Sequence, residues 1–483
     1  MMNQEHLTLH TDKYQINMMY AHWKNGTHNN VRVFEAFFRK NPFRGGYAVF
    51  AGLERILQYL EQLRFDASDI EFLREQEENY DEAFLEELAD FTFTGTIYSV
   101  KEGTIVFPNV PLIRVEGRIF EIQLIETALL NFMNYQTLIA TKAARIKQVA
   151  PDDTLLEFGT RRAQEASAAL WGARAAVIGG FHATSNMLAG KLFGIPTKGT
   201  HAHAFVQDAD SELEAFEAYA RALPDHVTLL VDTYDTLKSG VPNAIQVGLA
   251  LKKQGKALKG IRLDSGDLAY LSQEARKMLD AAGLQEVQIV ASSDLDEYTI
   301  QSLRAQGARI DTWGVGTKLI TAEDSPALGG VYKVVAKLEH GEWKPTIKIS
   351  GNPEKVTTPG RKIPVRIINR HTGRAEADYL MNWDEQLAGV ERLKLFDPIH
   401  TYLHKFVTDF DVIELQHKVF EQGKRVEKAQ KLQEIQQYHA TQIPLFWNEY
   451  LRNLNPERYP VDLSQQVWDT KMQCIAEHTN RRN

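Results

Sequence analysis

The sequence predicts an α/β protein whose middle part forms a β/α barrel, with further domains on either side. From Asp153 to about Lys337, short apolar runs alternate with amphipathic stretches such as Leu268–Ala282. This alternation is typical of parallel strands covered by helices, and about seven consecutive units favour a closed or nearly closed barrel over an open sheet. The predicted strands are Thr154–Phe158, Ala175–Ile178, Thr228–Val231, Gly260–Leu263, Gln288–Ala291, Arg309–Trp313 and Val331–Ala336.

The segments before and after this region have a different pattern. Residues 1–150 combine amphipathic helices with short strand-like runs, which predicts an α+β domain. Residues 151–340 form the barrel domain. Residues 341–483 begin with antiparallel strands, and from Trp383 onward we expect a charged, mostly helical tail that includes Val419–Gln437. The two flanking domains are expected to pack together.

Composition limits the possible functions. The chain has 483 residues, 43 % of them apolar, a formal net charge of −8 and a single cysteine, Cys474. The negative balance argues against a nucleic-acid binder, and one cysteine excludes an internal disulfide and a thiolate metal cluster. The start lacks a secretory-signal pattern, and no apolar run approaches the ~18 residues that a membrane span requires. We expect a cytoplasmic protein that has neither a membrane nor a nucleic acid as its partner.

Polar residues follow six apolar runs of the middle region. In a β/α barrel the loops after the strands converge on one face, and the active site lies there. An aspartate after a strand is often only a helix cap, but capping needs neither arginine nor histidine. The combination therefore predicts a site for an anionic, phosphorylated substrate. The clusters are Glu157–Arg162, Gly199–His203, Asp232–Thr236, Arg262–Asp267, Ser292–Asp294 and Gly314–Lys318.

Several side chains in these clusters suit phosphate and sugar recognition. The planar guanidinium of Arg161, Arg162 or Arg262 makes two parallel hydrogen bonds to a phosphate or a carboxylate. The glycines of Gly314–Thr317 let backbone N–H groups approach phosphate oxygens, although the same string also fits a simple tight turn. Asp264 is placed to accept hydrogen bonds from sugar hydroxyls.

His203 is the candidate for nucleophilic or acid–base chemistry. Asp232 and Asp235 follow the next strand, so a carboxylate can orient one ring nitrogen and leave the other free as a nucleophile or base. The alternative is a histidine that only satisfies local hydrogen bonds. The chain has no Gly-x-x-x-x-Gly-Lys-Ser/Thr loop and no His-Glu-x-x-His zinc motif, so any use of a nucleotide depends on another phosphate cradle.

A more specific pattern is carried by six groups of residues that run in order from residue 11 to residue 317. They are Thr11-Asp12-x-Tyr14-Gln15, Phe38-Arg39-Lys40-Asn41-Pro42-Phe43 with Gly45-Gly46-Tyr47, Glu157-Phe158-Gly159-Thr160-Arg161-Arg162-Ala163-Gln164, Gly199-Thr200-x-Ala202-His203, Arg262-Leu263-Asp264-Ser265-Gly266-Asp267 and Gly314-Val315-Gly316-Thr317. Together they resemble the nicotinate phosphoribosyltransferase family. The resemblance implies the type II phosphoribosyltransferase fold, an irregular β/α barrel beside an α+β domain formed from both chain ends.

The resemblance also implies a reaction. Members of this family join nicotinate to the ribose C1 of phosphoribosyl pyrophosphate, giving nicotinate mononucleotide and pyrophosphate for NAD biosynthesis. ATP hydrolysis drives the reaction through a phosphorylated histidine, and that residue matches His203. The resemblance thus implies ATP as a co-substrate, Mg²⁺ as the cofactor and a homodimer with shared active sites. It does not indicate which residues bind Mg²⁺.

The implied roles can be assigned position by position. Tyr14 would stack on the pyridine ring of nicotinate from the partner subunit, whereas spacing alone indicates only a packing role for this tyrosine. At the position of His201, family members often carry a residue other than histidine, so His201 is a second candidate for the phosphorylated histidine in this motif. The remaining assignments are Phe158 and Arg161 in the ring pocket, Thr200 and Arg262 on nicotinate with Arg262 at its carboxylate, Asp232 supporting His203, Asp264 on the ribose hydroxyls, and Gly316 with Thr317 on the 5′-phosphate.

Four other functions are weighed against this one. A nicotinamide-specific relative on the same fold would need an acceptor for the amide hydrogens, usually a carboxylate, where this ring pocket offers Arg262 and Thr200. Quinolinate phosphoribosyltransferase is a much shorter chain and uses no ATP. A barrel aldolase would need a lysine inside a strand, whereas Lys198 and Lys318 lie at strand ends. A binding protein without catalysis would not need a competent residue at every matched position.

Overall fold

The computed structural model describes residues 6–352 and 355–479, which divide into two compact units. One unit is Lys142–Pro326, and the other combines Met1–Thr141 with Ala327–Asn483. Residues 1–5 lie outside the described residues. The expectation that the chain has no secretory signal rests on this part of the sequence.

Helices occur in both units, and the longest is Glu126–Val149 with 24 residues. Within residues 6–352 and 355–479, no helix combines the length and the apolar character needed to cross a lipid bilayer. In chain order the helices are α1 (Lys13–Lys24), α2 (Leu53–Gln62), α3 (Ala67–Arg74), α4 (Glu82–Ala89), α5 (Ile119–Ile122), α6 (Glu126–Val149), α7 (Ala166–Ile178), α8 (Met187–Phe193), α9 (His203–Gln207), α10 (Glu212–Ala222), α11 (Val241–Lys253), α12 (Leu268–Ala281), α13 (Glu297–Ala305), α14 (Thr317–Ile320), α15 (Leu432–Gln442), α16 (Asn448–Leu451) and α17 (Gln465–Thr479).

The strands also come from the whole length of the chain. In order they are β1 (Val31–Phe38), β2 (Ala48–Val49), β3 (Thr96–Val100), β4 (Ile105–Val106), β5 (Ile113–Arg118), β6 (Thr154–Glu157), β7 (Ala183–Thr184), β8 (Thr228–Leu230), β9 (Gly260–Leu263), β10 (Gln288–Ala291), β11 (Thr312–Val315), β12 (Gly330–Glu339), β13 (Glu342–Pro345), β14 (Lys362–Asn369), β15 (Ala375–Asn382), β16 (Leu393–Phe396), β17 (His404–Val407), β18 (Phe410–Glu414), β19 (Gln416–Glu421), β20 (Lys424–Arg425) and β21 (Val461–Leu463).

The unit Lys142–Pro326 is built on one parallel sheet with the strand order β7-β6-β11-β10-β9-β8. Apolar side chains of these strands, such as Leu155, Ile261 and Ile289, are fully buried, as expected for a parallel sheet covered by helices. All of its strand pairs run parallel. The carboxyl ends of the strands therefore meet at one edge, as the sequence predicts.

The sheet has fewer strands than the sequence predicts. Ala175–Ile178 is the end of helix α7 and not a strand, because Ala169–Ile178 is buried throughout and a short buried apolar run looks the same in a helix and a strand. Val331–Ala336 lies in β12 of the other unit, antiparallel to β1. At the β7 edge the sheet continues only as a single bridge between Thr184 and Thr197. The predicted irregular β/α barrel is confirmed as a curled parallel sheet. The expected closure is not reached, because no backbone ladder joins β7 to β8 in this unit.

The second unit is assembled from both chain ends. Its largest sheet is antiparallel, with the order β13-β12-β1-β5-β3-β19-β20. Strands β1, β3 and β5 from the N-terminal segment thus lie between strands that follow residue 327. A four-stranded sheet, β18-β14-β15-β21, belongs to the same unit. The predicted fold class, a barrel with a flanking α+β domain built from both chain ends, is confirmed.

The segment after Trp383 contains more strand than the sequence predicts. The predicted helix Val419–Gln437 is wrong in its first part, because Gln416–Glu421 forms strand β19 and helix α15 begins only at Leu432. Val419 and Phe420 are fully buried, and β19 pairs with β3, which lies more than 300 residues earlier in the chain. Pairing with such a distant strand outweighs local helical preference.

A buried cluster of charges lies within the unit Lys142–Pro326. The Glu297 carboxylate lies 2.8 Å from Lys142 Nζ and accepts a hydrogen bond of 2.8 Å from Arg145 Nε. All three side chains are at most 1 % exposed. Arg145 also donates to the Tyr298 hydroxyl, and Lys142 pairs with Asp324 at 2.9 Å. One buried carboxylate therefore balances two buried cations on helix α6.

We expect Glu297→Gln to lower the free energy of unfolding by about 3 kcal/mol, because it leaves two buried cations without their shared counter-charge. Glutamine keeps the volume of the side chain, so the effect reports the charge. Urea denaturation at neutral pH measures it. The control is Glu274→Gln in the solvent-exposed pair with Lys277, where we expect less than about 0.5 kcal/mol. Equal effects in the two variants would contradict the prediction.

Candidate active site

A cavity of about 700 Å³ opens at the carboxyl edge of the parallel sheet. Its volume is in the range of sites for small ligands. The loops after β6, β9, β10 and β11 line it, together with the segment after β7. Among the lining residues are Phe158, Arg161, Thr200, Arg262, Asp264, Gly316 and Thr317.

Arg262 is held in the cavity by three hydrogen bonds. Its Nε donates to Ser292 Oγ at 2.8 Å, Nη1 donates to Thr200 Oγ1 at 3.1 Å, and Nη2 donates to Asp264 Oδ1 at 3.1 Å. The guanidinium carbon lies 5.8 Å from the centre of the Phe158 ring. A guanidinium has five N–H groups, so two remain without an acceptor among the described residues. This arginine is fixed in position and keeps donors for an anion.

Asp264 and Ser292 form the second part of this network. The Ser292 hydroxyl accepts from Arg262 and donates to Asp264 Oδ1 at 2.5 Å, and Ser292 is only 4 % exposed. The second oxygen of Asp264, Oδ2, points toward His203 and lies 3.8 Å from its Nε2. Asp264 therefore links the arginine of the cavity to the histidine beside it.

His203 begins helix α9, and its side chain is 39 % exposed. Its Nδ1 lies 3.1 Å from the Thr233 hydroxyl, and its Nε2 lies 4.0 Å from Asp232 Oδ1. The Asp232 side chain is 2 % exposed, and its Oδ2 accepts from the Asp264 N–H at 2.9 Å and the Ser265 hydroxyl at 2.6 Å. Its Oδ1 is buried without a hydrogen-bond partner among the described residues. A buried carboxylate oxygen thus faces an accessible imidazole.

The loop after β6 supplies further positive charge. Arg161 and Arg162 line the cavity, are exposed, and have no carboxylate within ion-pair distance in the described parts of the chain. The Glu157 carboxylate connects this loop to β7, because it accepts hydrogen bonds from the Gly159 N–H and from the Thr184 hydroxyl. Burial raises the pKa of Glu157, and these two hydrogen bonds oppose that rise. Two unpaired guanidinium groups at a cavity rim favour an anionic ligand.

Comparison with known proteins decides the family. A nicotinate phosphoribosyltransferase of Bacillus subtilis (strain 168) is 57 % identical to this chain over 477 residues, covering 98 % of this chain and 96 % of the relative. The chain belongs to the nicotinate phosphoribosyltransferase family. The family model "Nicotinate phosphoribosyltransferase (NAPRTase) family" matches residues 154–379, and models of the N-terminal and C-terminal NAPRTase domains match residues 9–134 and 361–471. The predicted family is confirmed, and with it the prediction that the chain is an enzyme.

More distant members of the nicotinate phosphoribosyltransferase family also match along the whole chain. The nicotinate phosphoribosyltransferase of Homo sapiens is 33 % identical over 515 residues, covering 95 % of this chain and 94 % of the relative. A crystal structure of human nicotinic acid phosphoribosyltransferase superposes on this chain with a TM-score of 0.86 at 31 % identity, covering 96 % of this chain and 99 % of that one. The likeness therefore extends to the fold of both units.

The structure brings most of the predicted site residues together within the barrel unit of this nicotinate phosphoribosyltransferase family member. Seven of them line the cavity, and His203 and Asp232 adjoin it through Asp264. Tyr14 belongs to the other unit, where it lies in the first turn of α1 with its side chain 49 % exposed. Asp235, the second carboxylate considered for His203, accepts hydrogen bonds from the Leu237 and Lys238 N–H groups and is a local cap.

Two residues with evident contacts were not among the predicted site residues. Thr233 is the hydrogen-bond partner of His203, and Ser292 joins Arg262 to Asp264. Both stand in the polar clusters after strands, so their location was visible in the sequence. Their partners depend on strand register: Ala291 of β10 lies opposite Leu263 of β9, which places Ser292 beside Asp264.

Gly314 of β11 allows the Phe158 ring to occupy the cavity wall. A Cβ at this position would lie 2.5 Å from Phe158 Cδ2, closer than any real carbon contact. Gly314→Ala must therefore displace the ring that lies beside Arg262. We expect KM for the aromatic substrate to rise roughly tenfold, with a smaller change in kcat. Steady-state kinetics measures both constants, and Gly351→Ala is the control because no atom of the described residues lies within 4 Å of its Cβ position. An unchanged KM would mean that the Phe158 ring does not contact the substrate.

Proposed function

We propose that this protein transfers the phosphoribosyl group of phosphoribosyl pyrophosphate to nicotinate, giving nicotinate mononucleotide and pyrophosphate for NAD biosynthesis. The observation that carries the proposal is Arg262, a fixed guanidinium beside an aromatic ring and a hydroxyl, with two N–H groups that have no acceptor in the described parts of the chain. A pyridine carboxylate needs these groups: a bidentate donor for its carboxylate and a flat apolar surface for its ring. The names of the relatives agree with this substrate.

The rest of the cavity suits the second substrate. Asp264 Oδ2 is an acceptor for ribose hydroxyls, while Gly316 and Thr317 offer backbone N–H groups and a hydroxyl to the 5′-phosphate. Arg161 and Arg162 at the rim are free to bind the pyrophosphate. In the proposed reaction the nicotinate ring nitrogen forms a bond to C1 as the C1–O bond to pyrophosphate breaks, and the bonding electrons leave with pyrophosphate. Positive groups near the leaving oxygens stabilise the charge that develops there.

The carboxylates beside His203 fit a magnesium ion. Asp232 Oδ1 is buried without a hydrogen-bond partner among the described residues, and Asp264 Oδ2 faces the same imidazole. Mg²⁺ prefers carboxylate and phosphate oxygens, usually with one or two carboxylates from the protein. We propose Asp232 and Asp264 as its ligands. When bound, Mg²⁺ would neutralise negative charge on pyrophosphate and on ATP phosphates.

We further propose that ATP phosphorylates His203 and that hydrolysis of the phosphohistidine is coupled to turnover. The imidazole is accessible, and the Thr233 hydroxyl orients its Nδ1. In this step a ring nitrogen attacks the γ-phosphorus, the bond to the ADP oxygen breaks, and water later takes the phosphoryl group. The nearby carboxylates of Asp232 and Asp264 would repel a phosphoryl group, so phosphorylation at this place calls for a bound cation. Phosphorylation would then change how the loop holds pyrophosphate.

Tyr14 is proposed to complete the site from the partner subunit of a homodimer. Its side chain is half exposed on α1, which leaves the ring available for contact with another chain. Stacking on the pyridine ring would account for an exposed tyrosine at this position. A mixture of a Tyr14 variant with a His203 variant would regain activity if sites are shared across a dimer.

The proposed function is tested by incubating the protein with nicotinate, phosphoribosyl pyrophosphate and Mg²⁺, with and without ATP, and separating the mononucleotide by chromatography. We expect nicotinate mononucleotide to form and ATP to increase its yield. Nicotinamide in place of nicotinate is the control and should give little product, because Arg262 offers only donors to the amide. Product from nicotinamide but none from nicotinate would overturn the proposal. An equal yield with and without ATP would overturn the proposed coupling of ATP hydrolysis to turnover.

A further inference from the structure

His201 lies between the two edges of the open parallel sheet. On one side, Thr197 forms the parallel bridge to Thr184 of β7. On the other side, the His201 ring nitrogen Nε2 accepts a hydrogen bond of 3.2 Å from the backbone N–H of Leu230 in the edge strand β8. The segment from Thr197 to the His201 side chain thus contacts both β7 and β8, which the backbone ladder does not join.

Only the neutral imidazole can make this contact. Nε2 is the acceptor, so the ring proton lies on Nδ1, whose neighbour is the Ala202 carbonyl at 3.4 Å. A protonated imidazole has two donors and no acceptor, and it would present an N–H to the N–H of Leu230. The ring is 7 % exposed and packs against the rings of Phe205, Phe216 and Tyr219.

The charged and titratable groups around the ring, Arg262 and His203, both lower the pKa of His201. Burial lowers the pKa of His201, and the nearby Arg262 and His203 lower it further, whereas the Ala202 carbonyl opposes them. Tyr219 faces the ring with its aromatic edge and is neutral at neutral pH, because burial raises its pKa. The unprotonated form is therefore favoured near neutral pH.

The His201–Leu230 hydrogen bond joins the two segments that carry the proposed chemistry. Leu230 lies opposite Arg262 in the pairing of β8 with β9, and Asp232 and Thr233 follow two and three residues after it. On the loop side, Thr200 accepts from Arg262 and donates to the His201 carbonyl at 3.0 Å, while His203 contacts Thr233.

We infer that His201 is a positioning residue whose neutral ring sets the loop Gly199–His203 in register with the end of β8. It places Thr200 on Arg262 and His203 on Thr233. The inference deepens the proposed function and rests on it. It accounts for the second histidine of the loop without giving it contact with substrate.

Two variants separate the hydrogen bond from simple packing. His201→Gln keeps an acceptor near the Nε2 position but does not take up a proton, and His201→Leu keeps apolar volume without an acceptor. At pH 7.5 we expect kcat/KM for nicotinate to stay within roughly threefold in the glutamine variant and to fall roughly 30-fold in the leucine variant. Equal activity of the leucine variant and the wild type would overturn the inference.

The pH dependence is the readout that a merely structural role would not change. A histidine with a lowered pKa in the folded state becomes unfavourable only as the pH falls below its ordinary value of about 6.5. The ratio of wild-type to His201→Gln activity cancels the pH effects that the two proteins share, including those of the substrates. We expect this ratio to decrease between pH 6.5 and pH 5, and a constant ratio would overturn the inference.

A matched control and an activity-independent measurement complete the test. The His182 Nδ1 accepts a hydrogen bond of 3.0 Å from the Leu155 N–H, which is the same kind of contact away from the cavity. The ratio of wild-type to His182→Asn activity should therefore stay constant between pH 6.5 and pH 5. Hydrogen exchange of the Leu230 amide should stay slow in the wild type and in His201→Gln and become faster in His201→Leu, while other strand amides stay protected. This measurement needs no catalysis, so absence of mononucleotide from the wild type would refute the proposed function alone. Unchanged exchange at Leu230 would refute the inference alone.

Discussion

The Arg262→Lys variant is expected to lose about 10²–10³-fold in kcat/KM for nicotinate. Lysine keeps the positive charge but has no planar pair of N–H groups for the carboxylate. Its single nitrogen also replaces the three separate nitrogens that donate to Ser292, Thr200 and Asp264. Two hydrogen bonds to charged groups correspond to about 3–4 kcal/mol, and each 1.4 kcal/mol is about tenfold. Steady-state kinetics with nicotinate varied at saturating phosphoribosyl pyrophosphate measures the loss.

Arg276→Lys is a closely matched control for this variant. The Arg276 side chain is 19 % exposed against 18 % for Arg262, and it also donates to three acceptors, Asp280, Val287 and Leu284. It lies on helix α12 and does not line the cavity. We expect its kcat/KM to remain at the wild-type value. If both variants lost activity equally, the effect of Arg262→Lys would be one of stability and not of nicotinate recognition.

The His203→Asn variant is expected to lose the phosphoenzyme. Asparagine retains a polar atom near the Nδ1 position that faces Thr233 but has no nucleophilic ring nitrogen. Incorporation of acid-labile label from γ-labelled ATP should fall at least roughly 100-fold, and ATP should no longer increase the yield of mononucleotide. The residual reaction without ATP should continue, because Arg262, Asp264 and the phosphate-binding residues are unchanged.

His226→Asn is the control for the histidine experiment, since His226 precedes β8 at the opposite end of that strand. It should incorporate label and respond to ATP as the wild type does. The His201→Gln variant should also keep its label, because His201 is buried and its Nε2 is occupied by Leu230. If label persisted in His203→Asn and disappeared in His201→Gln, the phosphorylated residue would be His201 and the assignment to His203 would be wrong.

The fold was predictable wherever local pattern and tertiary environment agree. Strands β6, β8, β9, β10 and β11 were predicted within a few residues, because short apolar runs between amphipathic helices have few alternative arrangements. Ala175–Ile178 was mispredicted since it is buried on all sides, and periodicity does not distinguish a buried helix from a buried strand. Strand β19 was missed because its partner β3 is distant in sequence.

The sequence predicted which residues form the site better than it predicted which of their atoms contact each other. The positions of Arg262, Asp264 and His203 after strands indicated an anionic site before any fold was known, and the family resemblance added their roles. Sequence spacing suggested Asp232 or Asp235 as the partner that orients His203, whereas the hydrogen bond at Nδ1 comes from Thr233, the residue after Asp232. The difference is one residue, and only the path of the backbone after β8 decides it.

The sequence by itself determined the α/β class, the rim of polar residues and the family, because these depend on residue types and on their order along the chain. The tertiary structure decided which polar atoms meet: Ser292 with Arg262 and Asp264, Thr233 with His203, and His201 with Leu230. Each of these contacts joins segments about 30 residues apart through strand register. Hydrogen bonds are sensitive to shifts of less than 1 Å, and no local sequence pattern specifies distances between separate strands so closely.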